Sequence, residues 1–190
     1  MEALGRRERK KLATRQAIAD EAMRLFLQRG YDAVTVSEIA DAADVAVSTV
    51  FKHFDSKEAI AFARDPAVEA ELTRAVHERP PGVTIVGSLR DFLVASPSLV
   101  AGAPEFVALV RATPALTAYS DRMWSRHARA VAEAVETETG FPASDIHLRA
   151  WARALVQIPS LVRDEADREA AIDGALEVLV HGWSPDKVGA

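Results

Sequence analysis

The residues best suited to chemistry lie together in one short stretch of the chain, residues 47–57. Hydroxyl, imidazole and ammonium groups follow one another there at Ser48, Thr49, Lys52, His53 and Lys57. Groups of this kind hydrogen-bond to phosphate oxygens and to the edges of bases. The same side chains also fit a solvated surface, so the elements that carry them must decide between the two interpretations.

Catalytic and metal-binding chemistry has no comparable pattern. The five histidines are far apart and lack metal-ligand spacing, at His53, His77, His127, His147 and His181. The 190 residues include no cysteine, which excludes disulfides and thiolate ligands. The sequence has no phosphate-binding loop, dinucleotide fingerprint or nucleophile elbow. We therefore expect no metal, no cofactor and no enzymatic activity.

Two short helices joined by a tight turn are predicted to carry this stretch. The sequence TVSE at 35–38 fits a capping box, in which a hydroxyl accepts from a free amide and a glutamate accepts from the amide of the cap. It predicts a second helix over about 36–42. A turn at 43–45 then leads into a third helix over about 46–53.

The apolar residues of these two helices are spaced to pack one inner side, formed by Ile39, Ala40, Val45, Val50 and Phe54. The third helix then leaves an outer side of small, polar and aromatic residues, namely Val47, Ser48, Phe51 and Lys52. This is the pattern of a helix-turn-helix, whose second helix enters the major groove of DNA. A helical hairpin buried in a bundle gives a similar pattern and stays an alternative at this point.

The remainder of the chain is also predicted to be helical, which makes the fold class all-α with about nine helices. The first helix covers about 7–29 and stops at Gly30, where a residue tolerant of positive φ is favoured. A fourth is capped by residues 55–56 and continues to about Arg64. A break of proline and glycine follows at 78–82. Further helices are predicted at about 83–95, 104–111, 115–138, 145–162 and 167–182.

The charge of the chain is divided between two predicted domains, a three-helix head over 1–64 and a helical bundle over 65–190. The net charge is −5, yet residues 1–15 hold six basic and two acidic side chains, a net charge of +4. Residues 65–190 hold 12 basic and 18 acidic side chains, a net charge of −6. A basic arm before a helix-turn-helix favours DNA binding, although alone it also fits a solubilising tail. Because neither a signal peptide nor a membrane span is evident, we expect a cytoplasmic protein without membrane contact.

The segment 35–60 brings these features together as TVSEIADAADVAVSTVFKHFDSKEAI. Its landmarks are a threonine, an Ile-Ala pair, a short turn ending in valine, an aromatic-rich run ending in phenylalanine, and Ser-Lys-Glu-Ala-Ile. This order resembles the DNA-binding head of the tetracycline-repressor (TetR) family. The resemblance covers about residues 12–62, whereas the rest of the chain agrees with the family only in length and helical character.

Two departures from the family pattern concern the third helix. Asp44 replaces the turn glycine, which is acceptable because aspartate adopts left-handed backbone angles more readily than most residues. Ala46 replaces the serine or threonine that usually opens the helix, which removes an N-cap contribution of about 1 kcal/mol. Both leave the start of the recognition helix, and hence its base contacts, open.

The resemblance implies a role for each matching residue of the head. Val47, Ser48 and Phe51 are expected to approach base edges, with Phe51 lacking the hydroxyl of the tyrosine often found there. Phosphate contacts are expected from the set Thr35, Thr49, Lys52, His53 and Lys57.

The resemblance also implies a dimer interface and a ligand pocket in residues 65–190. TetR-like proteins pair their last two helices across a two-fold axis, and the apolar stripes there include Trp151, Leu155, Ile172, Leu176, Leu179 and Trp183. These stripes also fit the core of a single chain. Aromatic walls with a few polar groups are typical of ligand sites and point to Phe92, Phe106, Arg111, Tyr119, Met123, Trp124 and His127. Aromatic residues at helical spacing also occur in ordinary cores.

The expected function is therefore a homodimeric transcriptional regulator of double-stranded DNA, most simply a repressor that a small molecule releases from an inverted-repeat operator. The alternative is a helical ligand-binding or protein-interaction module without DNA-binding activity. The basic arm and the intact basic residues at 52, 53 and 57 favour the first.

Overall fold

Every regular element that the structure describes is an α-helix. The computed structural model describes residues 5–96 and 103–182, and these ranges contain eleven helices and no strands. In chain order they are α1 (Arg6–Arg29), α2 (Val36–Ala42), α3 (Val47–His53), α4 (Lys57–Ala61), α5 (Asp65–His77), α6 (Ile85–Ala95), α7 (Pro104–Ala112), α8 (Pro114–Thr139), α9 (Ile146–Leu155), α10 (Ile158–Leu161) and α11 (Arg168–His181). The predicted all-α fold is confirmed. Within the two described ranges, no helix has both the length and the apolar character needed to cross a membrane.

The first of two compact units comprises Met1–Asp65 and Glu105–Tyr119. Helices α1 to α4 build its core by each burying an apolar face, with Ile18, Ala22, Phe26, Ile39, Ala40, Val50, Phe54 and Ile60 inside. Leu116 is completely buried in the same core, and Phe106 packs against it. The predicted domain bounds are corrected for residues 105–119, because their apolar side chains complete the core of the first unit.

The second unit comprises Pro66–Pro104 and Ser120–Ala190, and its described residues have a core of their own. The side chains buried in that core include Leu72, Val76, Leu89, Leu93, Val131, Leu148, Leu155, Ile158, Ile172 and Leu176. At the surface, Arg90 on α6 binds two carboxylates of α11. Its Nε lies 2.5 Å from Asp173 Oδ1, and its Nη2 lies 2.7 Å from Glu169 Oε1.

Prolines account for two differences from the predicted helices. Helix α5 was not predicted, because Pro66 suggested a break, but this proline stands in the first turn, where a missing backbone N–H costs no helical hydrogen bond. The helix predicted over 145–162 is divided in two. Helix α9 ends at Leu155 and α10 begins at Ile158, with Pro159 in its first turn. A proline inside a continuous helix would remove a hydrogen bond and clash with the preceding turn.

Candidate DNA-binding interface

Helix α2 begins with the capping box that the sequence predicts. Thr35 Oγ1 accepts from the backbone N–H of Glu38 at 3.2 Å, and the backbone N–H of Thr35 donates to Glu38 Oε2 at 2.8 Å. The Thr35 N–H, followed by Arg29, lowers the pKa of Glu38 to about 2. The Thr35 hydroxyl also donates to Glu38 at 2.9 Å, so a phosphate contact from this hydroxyl would have to replace that bond.

The turn between α2 and α3 depends on Asp44. Its φ is 51°, the left-handed conformation predicted for the position where the family usually has glycine. The N–H of Val45 then donates to the carbonyl of Ala40 at 3.0 Å, which closes the turn. Ala46 is the N-cap of α3 and has no side-chain hydrogen bond, as expected for alanine. The recognition helix thus begins at Val47.

Helix α3 has one buried and one exposed side. Val50 is buried, as is Phe54 directly after the helix. On the outer side, the exposed residues of the helix lie in two adjacent rows at four-residue spacing. Val47 and Phe51, with exposed fractions of 38% and 55%, form one row. Exposed Ser48 and Lys52 form the other, while Thr49 and His53 at the margins are half-buried.

Two lysines predicted to bind phosphates have different environments. Lys52 is exposed, and among the described residues no hydrogen bond or ion pair engages its ammonium. The ammonium of Lys57 instead donates to the carbonyl of Tyr31 at 2.5 Å and lies 3.9 Å from the centroid of the Tyr31 ring. Burial lowers the pKa of Lys57. A phosphate contact by Lys57 would therefore compete with bonds inside the chain, whereas Lys52 has none to give up.

Arg15 is a functional candidate that sequence reasoning missed. Its guanidinium donates to the carbonyl of His53 at the end of α3 and, at 3.0 Å, to the carbonyl of Ala63 after α4. It also lies 4.0 Å from the centroid of the Phe54 ring. Burial lowers the pKa of Arg15. The only sequence signal was its positive charge, since its partners lie 38 and 48 residues further along the chain.

His53 is electrostatically affected by the same neighbourhood. Its Nδ1 is buried and has no hydrogen-bond partner in the described part of the chain. Burial lowers the pKa of His53, and the positive charges of Arg15 and Lys11 lower it further. The imidazole is therefore biased towards its neutral form in the free protein.

The sequence that forms these helices matches a known protein family. The family described as "Bacterial regulatory proteins, tetR family" matches residues 18–63, from the core-facing part of α1 to the end of α4. The head of the chain, over residues 18–63, belongs to this family. This tetR-family head carries its helix-turn-helix in α2 and α3.

Known proteins extend the comparison beyond the head. The HTH-type transcriptional regulator TcmR of Streptomyces glaucescens is 41% identical over 78 residues, which are 41% of this chain and 34% of TcmR, so the match spans about a third of that relative. MftR of Mycobacterium tuberculosis, a protein named as a transcriptional regulator, is 27% identical over 188 residues, covering 96% of this chain and 92% of MftR. The structure of FadR from Bacillus subtilis in complex with stearoyl-CoA has a TM-score of 0.56 at 19% identity, covering 89% and 99% of the two chains, and shares the fold.

The predicted ligand residues fall in both units. The first unit contains Phe106, Arg111 and Tyr119. There the Tyr119 ring stacks on Phe62, with centroids 5.2 Å apart, and Phe62 also meets Phe106 edge-on at 5.4 Å. Arg111 is exposed.

The second unit contains the other four, Phe92, Met123, Trp124 and His127. Met123 and His127 are buried, and the Trp124 ring meets the His127 ring edge-on with centroids 5.2 Å apart. His127 Nε2 lies 3.9 Å from Glu69 Oε2. An open surface depression of about 500 Å³ is lined instead by Asp121, Arg122, Ser125, Arg126 and Arg129. A pocket formed by the predicted residues stays a prediction.

The predicted dimer residues are divided by their burial. Leu155, Ile172 and Leu176 are buried in the core of the second unit, so the interface prediction is wrong for these three. A side chain enclosed by its own chain cannot meet a partner. Trp151 and Leu179 are half-buried against that core and retain some exposed surface. Trp183 lies outside the described residues.

Proposed function

We propose that this chain is a dimeric repressor that reads an inverted-repeat operator through α3 and leaves it when a small molecule binds. The exposed side of α3 is the observation that carries the proposal. The apolar side chains of Val47 and Phe51 are exposed there. Beside them lie the hydroxyl of Ser48 and the ammonium of Lys52, and α3 is the second helix of the helix-turn-helix. The major groove of B-DNA admits one such helix.

Each side chain of this surface has a matching group on DNA. Val47 and Phe51 can contact the methyl group of thymine, the one apolar group that a base pair presents in the major groove. The Ser48 hydroxyl can donate to or accept from a base edge. Lys52, at the end of the helix, suits a phosphate, which positions the protein without reading sequence.

The surface of α11 supports assembly into a dimer. Beside its buried stripe the helix has an uncharged face formed by Ala171, Gly174, Ala175 and Val178. Val178 is 42% exposed, and a side chain added at Gly174 would meet only open space. Two copies related by a two-fold axis would present two α3 helices to half-sites about one turn of DNA apart, which makes the operator an inverted repeat.

Aromatic contacts within the first unit support a route for the effector signal. Tyr119 and Phe106 contact Phe62, the C-cap residue directly after α4. Arg15 connects the carbonyl of the next residue, Ala63, to the end of α3. Movement at the start of α8 would therefore reach the recognition helix. A ligand releases DNA only if it favours the non-binding conformation, because equal affinity for two conformations shifts neither.

The DNA-binding proposal is tested with an operator selected by the purified protein from a random-sequence duplex library. Replacing Lys52 with Ala should weaken binding to all sequences alike and reduce the slope of log affinity against log salt by about one. Ser48→Ala should change which bases are preferred and leave the slope unchanged. Arg149→Ala is the matched control, because it removes one exposed positive charge from the second unit.

Three outcomes would contradict the proposal. If no sequence is enriched, the alternative of a helical module without DNA binding replaces it. If Lys52→Ala leaves affinity and salt slope unchanged, α3 is not the recognition helix. If compounds that raise the melting temperature never alter operator affinity, the effector switch is absent, since linkage requires reciprocal effects of ligand and DNA.

A further inference from the structure

The first three turns of α1 lie outside the residues that the family match explains. The match begins at residue 18, which is also where α1 first buries a side chain. The helix itself begins at Arg6, and residues 6–13 are all exposed. A solvated helix of this kind makes no contribution to the core of the first unit. Its composition is therefore free to serve another contact.

Basic residues of this segment form a row on one side of α1. Arg7, Lys11 and Arg15 are spaced by four residues, which places their side chains one above the other along the helix. The one acidic residue of residues 6–15 is Glu8. Within the described residues, neither Arg7 nor Lys11 is engaged in an ion pair or a hydrogen bond through its side chain. Two cations of the row thus have no partner within the described part of the chain.

The third member of the row attaches it to the recognition helix. Arg15 donates to the carbonyl of His53, the last residue of α3, and stacks on Phe54. Lys11, one turn earlier, is close enough for its charge to contribute to lowering the pKa of His53. The row therefore starts beside the end of α3, where Lys52 is also exposed, and continues away from it along α1.

We propose that Arg7 and Lys11 bind backbone phosphates of the operator beyond the base pairs that α3 reads, so that α1 is a second DNA-binding element. The inference rests on the proposed function. From Arg15 to Arg7 the helix rises about 12 Å. Along the axis of the DNA helix, the phosphates of one strand follow one another at about 3.4 Å, so a row parallel to that axis reaches three to four base-pair steps. The contact is electrostatic and does not depend on the sequence of those steps.

The test compares two double variants that remove equal charge from two positions about 100° apart around the same segment of helix. Arg7→Ala with Lys11→Ala removes the two members of the row that are proposed to bind phosphates. Arg6→Ala with Lys10→Ala is the matched control, because these residues are rotated away from the row. Each protein is titrated against the selected operator from 50 to 200 mM salt, with full-length duplex and with duplex shortened by four base pairs at each end. Thermal unfolding confirms that both variants are folded.

We expect the row variant to lower the salt slope by about 1.8, at about 0.9 for each phosphate contact. Over this fourfold range of salt, wild type would then lose about 12-fold more affinity than the variant. Shortening the duplex should weaken wild type and the control but leave the row variant unchanged.

Equal losses in both double variants, or a wild type indifferent to duplex length, would overturn the second element while leaving the proposed function intact. A wild-type protein that binds no selected operator would overturn both.

Discussion

Arg15 offers the sharpest test of how the recognition helix is positioned, through the substitution Arg15→Met. Methionine keeps most of the side-chain volume and loses both hydrogen bonds to the carbonyls of His53 and Ala63. A hydrogen bond that involves a charged group contributes about 1.5–3 kcal/mol, and the lower end applies to this half-buried site. The contact with the Phe54 ring adds about 0.5–1 kcal/mol. We expect the free energy of unfolding of the first unit to fall by about 3.5–4 kcal/mol.

Urea titration can assign this loss to the first unit. Trp124 and Trp151 belong to the second unit, and the residues of the first unit include no tryptophan, so tryptophan fluorescence does not report on the first unit. Far-UV circular dichroism reports on both. Arg15→Met should therefore lower the urea concentration at the midpoint of the unfolding transition measured by circular dichroism. The midpoint measured by tryptophan fluorescence should change less. Arg15→Lys, whose single ammonium cannot bridge two carbonyls, should lose about half as much.

The matched control for this prediction is Arg24→Met on the same helix. Arg24 is exposed, and its partners among the described residues are Glu21 and Gln28 on the same helix, so its loss should cost less than about 1 kcal/mol. The reasoning would be refuted if Arg15→Met were as stable as Arg24→Met. Arg15→Met should also reduce the preference for operator over random DNA, because the end of α3 loses its anchor. Its salt slope should stay at the wild-type value, since the guanidinium is engaged by carbonyls.

Two further predictions concern pH and the C-terminal helix. Burial and the charges of Arg15 and Lys11 lower the pKa of His53, so below its ordinary value of 6.5 the unfolded chain binds more protons than the folded one. The unfolding free energy should therefore decrease as pH falls from about 7 to 5, by at most about 1.4 kcal/mol per pH unit. His53→Gln should make the unfolding free energy less dependent on pH. If wild type and His53→Gln depended on pH to the same extent, the prediction would be contradicted. Leu176 is buried, so Leu176→Glu should unfold the second unit, which a thermal melt would show. Val178 is exposed, so Val178→Glu should remain folded and sediment as a monomer in ultracentrifugation. If Leu176→Glu were instead a folded monomer, the original interface prediction for Leu176 would be restored.

Features set by neighbours in the sequence were predictable in this chain. The capping box of Thr35 and Glu38 joins residues three apart, and it forms as predicted. The left-handed backbone at Asp44 and the stop of α1 at Gly30 follow from the conformations open to single residues. The inner side of the helix-turn-helix was predictable for the same reason, because the buried positions recur at helical spacing.

Apolar stripes on the later helices gave a less complete answer. An apolar stripe predicts that one face of a helix is buried, but it does not indicate which element covers that face. For Leu155, Ile172 and Leu176 the cover is the chain's own core, where the sequence suggested a second subunit. Likewise, the sequence indicated that apolar residues of 105–119 are buried, but it did not indicate that they belong to the core of the first unit.

The local elements and the family of the head could thus be determined from the sequence alone, since both depend on spacings of a few residues. Only the tertiary structure decided that Arg15 bonds to carbonyls after α4 and at the end of α3, and that the ammonium of Lys57 donates to the carbonyl of Tyr31. These contacts join residues between 26 and 48 positions apart. A charged side chain looks the same in sequence whether it meets a carbonyl, a ring or water, and its partner is selected only when folding brings distant segments into contact.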